Sequence, residues 1–344
     1  MRKILIVMVS LVLAGAAALL LVFSSAYGDV FTPTVATEPT QMATIAITEG
    51  VVTVPTTEAT TVPTEPITEP TEPPTEPLPE PPDMSHATAR QMFVYDVGAQ
   101  RLLYTKGDQL KQIEPASLTK LFTAYVAMQY LDPNEIVTVG VEATWIGQNS
   151  SVAAVGQGCR LSTGMIMQGM LMQSGNDAAY ALAVAAGRAI GEDPNMGARD
   201  ACNRFMEEVN RQLQELGMEN THFTTPDGYH ERNHYTTAED LMKMAILVVD
   251  EPVIMESCSL PLAVVRYESG QQYTWKNTNL LLQQNSQYHC PEATGLKTGA
   301  TAEAGKCLIA SFTTEDTTFV IGVLGCTKED QRFQYALELF EHYR

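Results

Sequence analysis

Basic residues are scarce in this chain of 344 residues, which holds 21 Lys and Arg against 40 Asp and Glu. Residues 29–83 include ten acidic residues and no Lys or Arg, and the remainder of the chain is also acidic. Binding to nucleic-acid phosphates requires clustered Lys and Arg. The composition therefore predicts no nucleic-acid partner.

Cysteine is also sparse, with six residues and no CxxC pair. An even number permits disulfides, and six cysteines allow fifteen full pairings, but a domain of this size folds without them. Cys307 and Cys326 lie in apolar, strand-like runs, where small buried thiols are the more frequent case. The sequence leaves the disulfide state open.

Two segments of unlike composition precede the rest of the chain. Met-Arg-Lys is followed by an apolar run over residues 4–23, which is long enough to span a bilayer. For residues 1–28 we favour an uncleaved membrane anchor over a cleaved signal peptide, with the remainder exported. Residues 29–83 hold twelve of the nineteen prolines, so we expect an extended, disordered linker rich in Thr, Glu and Pro. Residues 84–344 form the predicted folded domain.

The pattern of apolar residues predicts an α+β fold for that domain. A hairpin is expected over residues 91–104. Helices are predicted over residues 117–131, 162–173, 177–190, 196–216, 237–249 and 330–343, and strands over 263–267, 272–275, 292–298, 305–312 and 318–324. This order implies an antiparallel sheet built from both ends of the chain and flanked by helices, plus an all-α lobe. A ligand site is expected in the cleft between the sheet and the lobe.

Three short motifs carry the chemistry: Ser117-Leu-Thr-Lys120, Ser174-Gly-Asn176 and Lys297-Thr-Gly299. A Ser hydroxyl becomes a good nucleophile when a base takes its proton, and the i, i+3 spacing places Lys120 beside Ser117 on a helix. Lys acts as a base only when desolvation or another cation, such as Lys297, lowers its pKa. Each motif is weak alone, but their order and their positions on a helix start, a turn and a strand indicate a serine acyl-transfer site.

The chain resembles the low-molecular-mass D-alanyl-D-alanine carboxypeptidases, which are serine peptidases of the penicillin-binding group. The likeness covers residues 85–344 and includes Glu114-Pro-Ala-Ser-Leu-Thr-Lys120, Leu171-Met-Gln-Ser-Gly-Asn-Asp-Ala-Ala179, His234-Tyr-Thr-Thr-Ala238, Trp275-Lys-Asn-Thr-Asn279 and Gly295-Leu-Lys-Thr-Gly-Ala-Thr-Ala-Glu-Ala-Gly305. It implies a peptidoglycan stem peptide ending in D-Ala-D-Ala as substrate, β-lactam antibiotics as ligands and no cofactor. It also implies an extracytoplasmic location, either anchored to the cell membrane or secreted into the cell wall.

The resemblance also implies a role for each site residue. Ser117 would be the acylated nucleophile and Lys120 its general base. Ser174 would relay a proton to the leaving D-alanine, and Asn176 would hold Lys120 and the substrate backbone. The remaining roles are substrate binding by Lys297, Thr298 and Gly299, binding of the substrate carboxylate by Arg332, and an oxyanion hole formed by the N–H groups of Ser117 and Ala300.

Other interpretations remain open. Asp227, His230, Glu231 and His234 resemble a metal cluster, but they follow a Pro-Asp-Gly turn, and His234 belongs to a run shared with the serine family, so we predict no metal site. A class A β-lactamase would need a deacylating carboxylate, and Glu207 with Asn210 has the wrong offset. An endopeptidase of the same fold and a non-catalytic peptidoglycan-binding protein are the alternatives to a carboxypeptidase.

Overall fold

A computed structural model of the protein describes residues 78–344, which lie in one compact unit. The strands are β1 (Gln91–Asp96), β2 (Arg101–Lys106), β3 (Ile136–Thr138), β4 (Arg160–Ser162), β5 (Leu262–Arg266), β6 (Gln272–Lys276), β7 (Ala293–Thr301), β8 (Gly305–Thr313) and β9 (Thr318–Cys326). Five of them form an antiparallel sheet in the order β2–β1–β9–β8–β7. The prediction of one sheet made from both ends of the chain is confirmed, because β1 pairs with β9.

The helices are α1 (Thr119–Ala127), α2 (Thr163–Met172), α3 (Asn176–Ile190), α4 (Ala198–Glu215), α5 (Ala238–Val249), α6 (Pro252–Ser259) and α7 (Gln331–Tyr343). Helix α3 is rich in Ala and lies close to α4, where a Cβ on Gly187 would lie 1.8 Å from the Ala201 carbonyl oxygen. Small side chains therefore permit this close approach inside the helical lobe.

The sheet is covered on both faces, and this follows from the two-residue period of its strands. Neighbouring Leu308 and Ile309 of β8 belong to different hydrophobic clusters, one on each face. Ile309 packs with the helical lobe, whereas Leu308 packs with α7. On the α7 side, Phe312 and Phe340 stack with ring centroids 4.3 Å apart. The predicted α+β architecture is thus confirmed.

Three predicted elements, two strands and one helix, differ from those observed. Strands β5 and β6 do not join the main sheet but pair only with each other, and Trp275 anchors this hairpin to the lobe by donating to the Ala153 carbonyl (2.9 Å). The helix predicted over 117–131 is a 3-10 turn, Ala116–Leu118, followed by α1, which ends at Ala127. Beyond it, Tyr130 turns its hydroxyl to Glu208 of α4 (2.5 Å).

All six cysteines are free thiols, and Cys307 and Cys326 are buried, as predicted. Among residues 78–344, no helix has both the length and the apolar character needed to cross a membrane. The predicted anchor over residues 1–28 lies outside the described residues, as does the linker over residues 29–83 except for its last six positions. Both segments stay predictions.

Candidate active site

Ser117 and Lys120 meet at the start of α1. Ser117 lies in the 3-10 turn that leads into the helix, and Lys120 follows one turn later. The Lys120 ammonium donates to three oxygens: Ser117 Oγ (2.9 Å), Asn176 Oδ1 (2.8 Å) and the main-chain carbonyl of Asp227 (2.6 Å). Because Lys120 is fully buried, these contacts fix its position beside the hydroxyl.

Burial lowers the pKa of Lys120 from 10.5 to about 8, against the charges of Asp227 and Asp177, which raise it. The pKa of Lys297 lies well below its usual value, first because of burial and then because of the Lys120 charge. Of desolvation and a neighbouring cation, desolvation therefore accounts for the lowered pKa of Lys120. The repulsion between the two amines acts mainly on Lys297.

The Ser174-Gly-Asn176 motif joins α2 to α3, as the sequence predicts. Ser174 is buried and has a left-handed backbone with φ +58°. Asn176 donates through Nδ2 to Ser150 Oγ (2.9 Å), which leaves Oδ1 to accept from Lys120. The next residue, Asp177, accepts the N–H groups of Ala153 and Val155, so the motif also holds the adjacent loop.

The Lys297-Thr-Gly299 motif lies on β7, at the edge of the sheet facing the Ser117 turn. Lys297 is buried and donates to the Thr298 carbonyl (3.1 Å), while the Thr298 hydroxyl lies 2.6 Å from that of Thr278. A Cβ on Gly299 would lie 3.1 Å from the Pro115 carbonyl oxygen. The glycine therefore allows β7 to lie close to the segment that carries Ser117.

These elements enclose a cleft of about 500 Å³. Ser117 and Asn176 line it together with Ala300, the predicted second donor of the oxyanion hole. The walls come from the 148–151 loop, the 227–230 turn and residues 300–303. The structure thus brings Ser117, Asn176 and Ala300 to one cavity, with Lys120 buried beside Ser117 and Lys297, Thr298 and Gly299 on the adjoining strand.

Arg332 lies on α7 and is almost fully buried against the main chain of the sheet. Its guanidinium donates to the carbonyls of Gly299 (3.0 Å) and Cys307 (3.2 Å) and pairs with Glu329. It is not among the residues that line the cleft. Arg332 therefore supports the strand that carries the Lys-Thr-Gly motif, and its predicted contact with a substrate carboxylate stays a prediction.

The two histidines among the four residues that resemble a metal cluster have separate partners. His230-Glu-Arg-Asn-His234 has the HExxH spacing, which brings two histidines together when it lies on a helix, but this segment is not helical. His234 contacts the hydroxyl of Thr119 (2.9 Å), and burial lowers its pKa to about 3. His230 instead pairs with Glu114 at the mouth of the cleft (2.8 Å), near Glu303.

The β-lactamase candidates also lie elsewhere. Glu207 is exposed on α4 and pairs with Arg204 (3.5 Å), and Asn210 holds the main chain of Phe223. Neither lines the cleft. Asp227 and Ser150 were not predicted as site residues, since the sequence around Asp227 is typical of a turn and Ser150 lies in no motif. The folded chain places Asp227 in contact with Lys120 and Ser150 in contact with Asn176.

The fold and the arrangement of Ser, Lys and Asn define a class of serine acyl-transfer enzymes. The sequence pattern of peptidase family S11, D-alanyl-D-alanine carboxypeptidase, matches residues 77–328, and the chain belongs to this family. The family assignment and the fold predicted from the sequence are confirmed.

Individual relatives agree with this assignment. The chain is 30% identical over 264 residues to D-alanyl-D-alanine carboxypeptidase DacC of Escherichia coli, covering 73% of this chain and 60% of DacC. It is 31% identical over 275 residues to DacD of the same species, covering 75% of this chain and 63% of DacD. This chain thus spans somewhat less than two thirds of these relatives. Among solved structures, the Streptomyces K15 DD-transpeptidase matches with a TM-score of 0.66 and 26% identity, covering 74% of this chain and 97% of that one.

Proposed function

We propose that the protein is a serine D-alanyl-D-alanine carboxypeptidase that removes the terminal D-alanine from peptidoglycan stem pentapeptides. The observation that carries this proposal is the contact of Lys120 Nζ with Ser117 Oγ at 2.9 Å, held by Asn176 at the wall of an open cleft. A protein that only binds peptidoglycan has no need for a buried amine beside an accessible hydroxyl.

In the proposed acylation step, neutral Lys120 takes the Ser117 proton as Oγ attacks the carbonyl carbon of the penultimate D-alanine. The N–H groups of Ser117 and Ala300 stabilise the oxyanion, which forms at the start of a helix where the dipole also favours negative charge. Ser174 passes a proton to the leaving D-alanine. Water then hydrolyses the ester on Ser117, releasing the shortened peptide and restoring the hydroxyl.

Lys297 has a second proposed role, in addition to binding the substrate. Burial and the Lys120 charge lower its pKa, so its amine carries a proton less readily than an exposed lysine. A substrate carboxylate bound beside it favours the charged form, because opposite charges stabilise each other in a buried site. The resulting ammonium then lowers the pKa of Lys120 and keeps it a base. Substrate binding thus activates the nucleophile through the Lys297 charge.

The test is release of D-alanine from a pentapeptide ending in D-Ala-D-Ala. We expect release by the wild type and loss of it in Ser117→Ala and Lys120→Ala, with a cross-linked muropeptide hydrolysed less efficiently. The matched control is Ser269→Ala, an exposed serine in the β5–β6 turn. Binding of the pentapeptide without release would support a wall-binding protein instead, and preferential cleavage of the muropeptide would support an endopeptidase.

We also propose that β-lactams acylate Ser117 and are released slowly, because the sequence offers no Glu and Asn pair at the spacing that speeds deacylation in class A β-lactamases. The protein is then a target of penicillins. The label left on the wild type by a fluorescent penicillin should last longer than the time that acylation takes. Rapid loss of the label with release of hydrolysed drug would contradict this part of the proposal.

The protein is further proposed to act outside the cytoplasm, held at the cell membrane by residues 1–28. The support is the apolar run over residues 4–23. Residues 29–83 would separate the domain from the membrane by on the order of 150 Å if extended at roughly 3 Å per residue. Full-length protein should fractionate with membranes and a chain starting at residue 29 should not. Membrane association of both would contradict the anchor.

A further inference from the structure

Asp227 belongs to the turn that forms one wall of the cleft, and its carboxylate has no role in the reaction described above. Asp227 is 1% exposed, and its Oδ1 accepts the N–H of Tyr229 (3.0 Å). Its other carboxylate oxygen, Oδ2, is buried without a hydrogen-bond partner among the residues that the structure describes. A buried carboxylate oxygen without a partner is costly, so its retention at this position calls for an explanation.

The turn that carries Asp227 cannot move away from the nucleophile without breaking close contacts. Gly228 has φ +76°, and a Cβ there would lie 1.9 Å from the Ala116 carbonyl oxygen. On the other side of Asp227, the Pro226 carbonyl accepts the hydroxyl of Thr123 in α1 (2.7 Å). These contacts hold the turn against the segment that contains Ser117. The main-chain carbonyl of Asp227 is thereby held 2.6 Å from Lys120 Nζ, which keeps the residue and its charge near the general base.

We propose that Asp227 is a positioning residue whose carboxylate acts as a fixed counter-charge to Lys120 and sets the lower pH limit of acylation. This inference rests on the proposed role of Lys120 as general base. The main-chain carbonyl of Asp227 orients the amine through its 2.6 Å contact, and the carboxylate stabilises the protonated amine. The result is a stronger base that is available only at higher pH.

Several charged groups lie near Lys120, and they differ in whether they raise or lower its pKa. Asp227 is the largest of those that raise its pKa, and Asp177 on α3 is the second. Lys297 on β7 opposes them when protonated. His234 stays neutral in the working range, because its pKa is about 3.

Asp227 itself also faces two groups of the helical lobe. Burial raises the pKa of Tyr180 and raises that of Cys202 to about 11, and the Asp227 charge adds to both shifts. Both side chains are therefore neutral where the enzyme is proposed to work. Lys120 is therefore the cation whose pKa the Asp227 charge raises.

The experiment measures the second-order rate of Ser117 acylation by a fluorescent penicillin between pH 5.5 and 9.5. Asp227→Asn keeps an oxygen that accepts from Tyr229 N–H but removes the charge. We expect its acid limb to move down by about one pH unit, which raises the neutral fraction of Lys120 at pH 6.5 roughly eightfold. Because the weaker base also reacts more slowly, the net acylation at pH 6.5 should be about 2.5-fold faster. The plateau at high pH should fall by about threefold, because a weaker base transfers the proton less well.

Two matched variants separate the effect of the Asp227 charge from a structural effect of the substitution. Asp227→Glu restores the charge and should restore the wild-type limb. Glu231→Gln removes an exposed charge four residues away and should leave the limb unchanged. If Asp227→Asn folds and its limb coincides with that of the wild type, or if Glu231→Gln shifts the limb equally, the inference is wrong.

A second measurement needs no variant. A fixed buried charge is poorly screened, so the wild-type limb should move by less than about 0.3 pH units between low and high salt. A larger shift would assign the effect to exposed acids and overturn the inference. Failure of the wild type to be labelled at any pH would instead reject the proposed function, so the two failures are distinguishable.

Discussion

Asp177 links the helical lobe to the wall of the cleft, and removing its carboxylate should be costly. The side chain is 4% exposed and accepts three N–H groups, from Ala153 (2.9 Å), Val155 (2.8 Å) and Ala178 (2.9 Å). Each buried donor left without a partner costs about 1–3 kcal/mol. Water entering the vacated space will satisfy part of this loss. We therefore expect Asp177→Ala to lower the free energy of unfolding by about 3 kcal/mol.

The assay is thermal unfolding of the domain together with acylation by a fluorescent penicillin. For a domain of this size a loss of about 3 kcal/mol lowers Tm by about 6–12 °C. Acylation should also slow, because the 150–155 loop carries Ser150, which orients the Asn176 amide. Asp316→Ala removes an exposed carboxylate and should leave both quantities unchanged. A Tm for Asp177→Ala within 2 °C of the wild type would refute the role assigned to these hydrogen bonds.

Three further predictions test the base, the turn and the core. Acylation of the wild type should rise about tenfold per pH unit below pH 8 and then level off, because the pKa of Lys120 is about 8; a flat dependence from pH 6 to 9 would contradict this. Gly228→Ala, at a site with φ +76° and a contact with Ala116, should slow acylation at least tenfold and lower Tm, whereas Gly270→Ala, also at positive φ but in open space, should leave acylation unchanged. Phe340→Ala should cost about 3–5 kcal/mol in denaturant unfolding through its stacking on Phe312, with the acylation rate of the remaining folded protein unchanged.

Local spacing made part of the site predictable. Lys120 lies three residues after Ser117, so helix geometry alone brings them together, and the motif order then selects Asn176 and Lys297. The contact between Asp227 and Lys120 joins residues 107 positions apart. A Pro-Asp-Gly sequence predicts a turn but not which helix that turn will touch. The position of Asp227 beside Lys120 could therefore be identified only from the folded structure.

The fold shows the same division between local and distant information. Continuous apolar runs predicted β8 and β9 within two residues, because both strands are buried on both faces of a covered sheet. The same pattern could not assign a partner to β6, whose Trp275 bonds to Ala153 in the lobe instead of joining the sheet. Strand pairing depends on contacts that are far apart in the sequence, and no local pattern records them.

The chemistry proposed for the cleft depends on one covalent bond, between Ser117 Oγ and the acyl group. The most direct test is to mix the full chain with benzylpenicillin, measure its intact mass, and map the modified peptide after proteolysis. The account predicts a mass gain of one penicilloyl group on the peptide containing Ser117, and none in Ser117→Ala. An adduct on another residue, or no adduct on correctly folded protein, would contradict it.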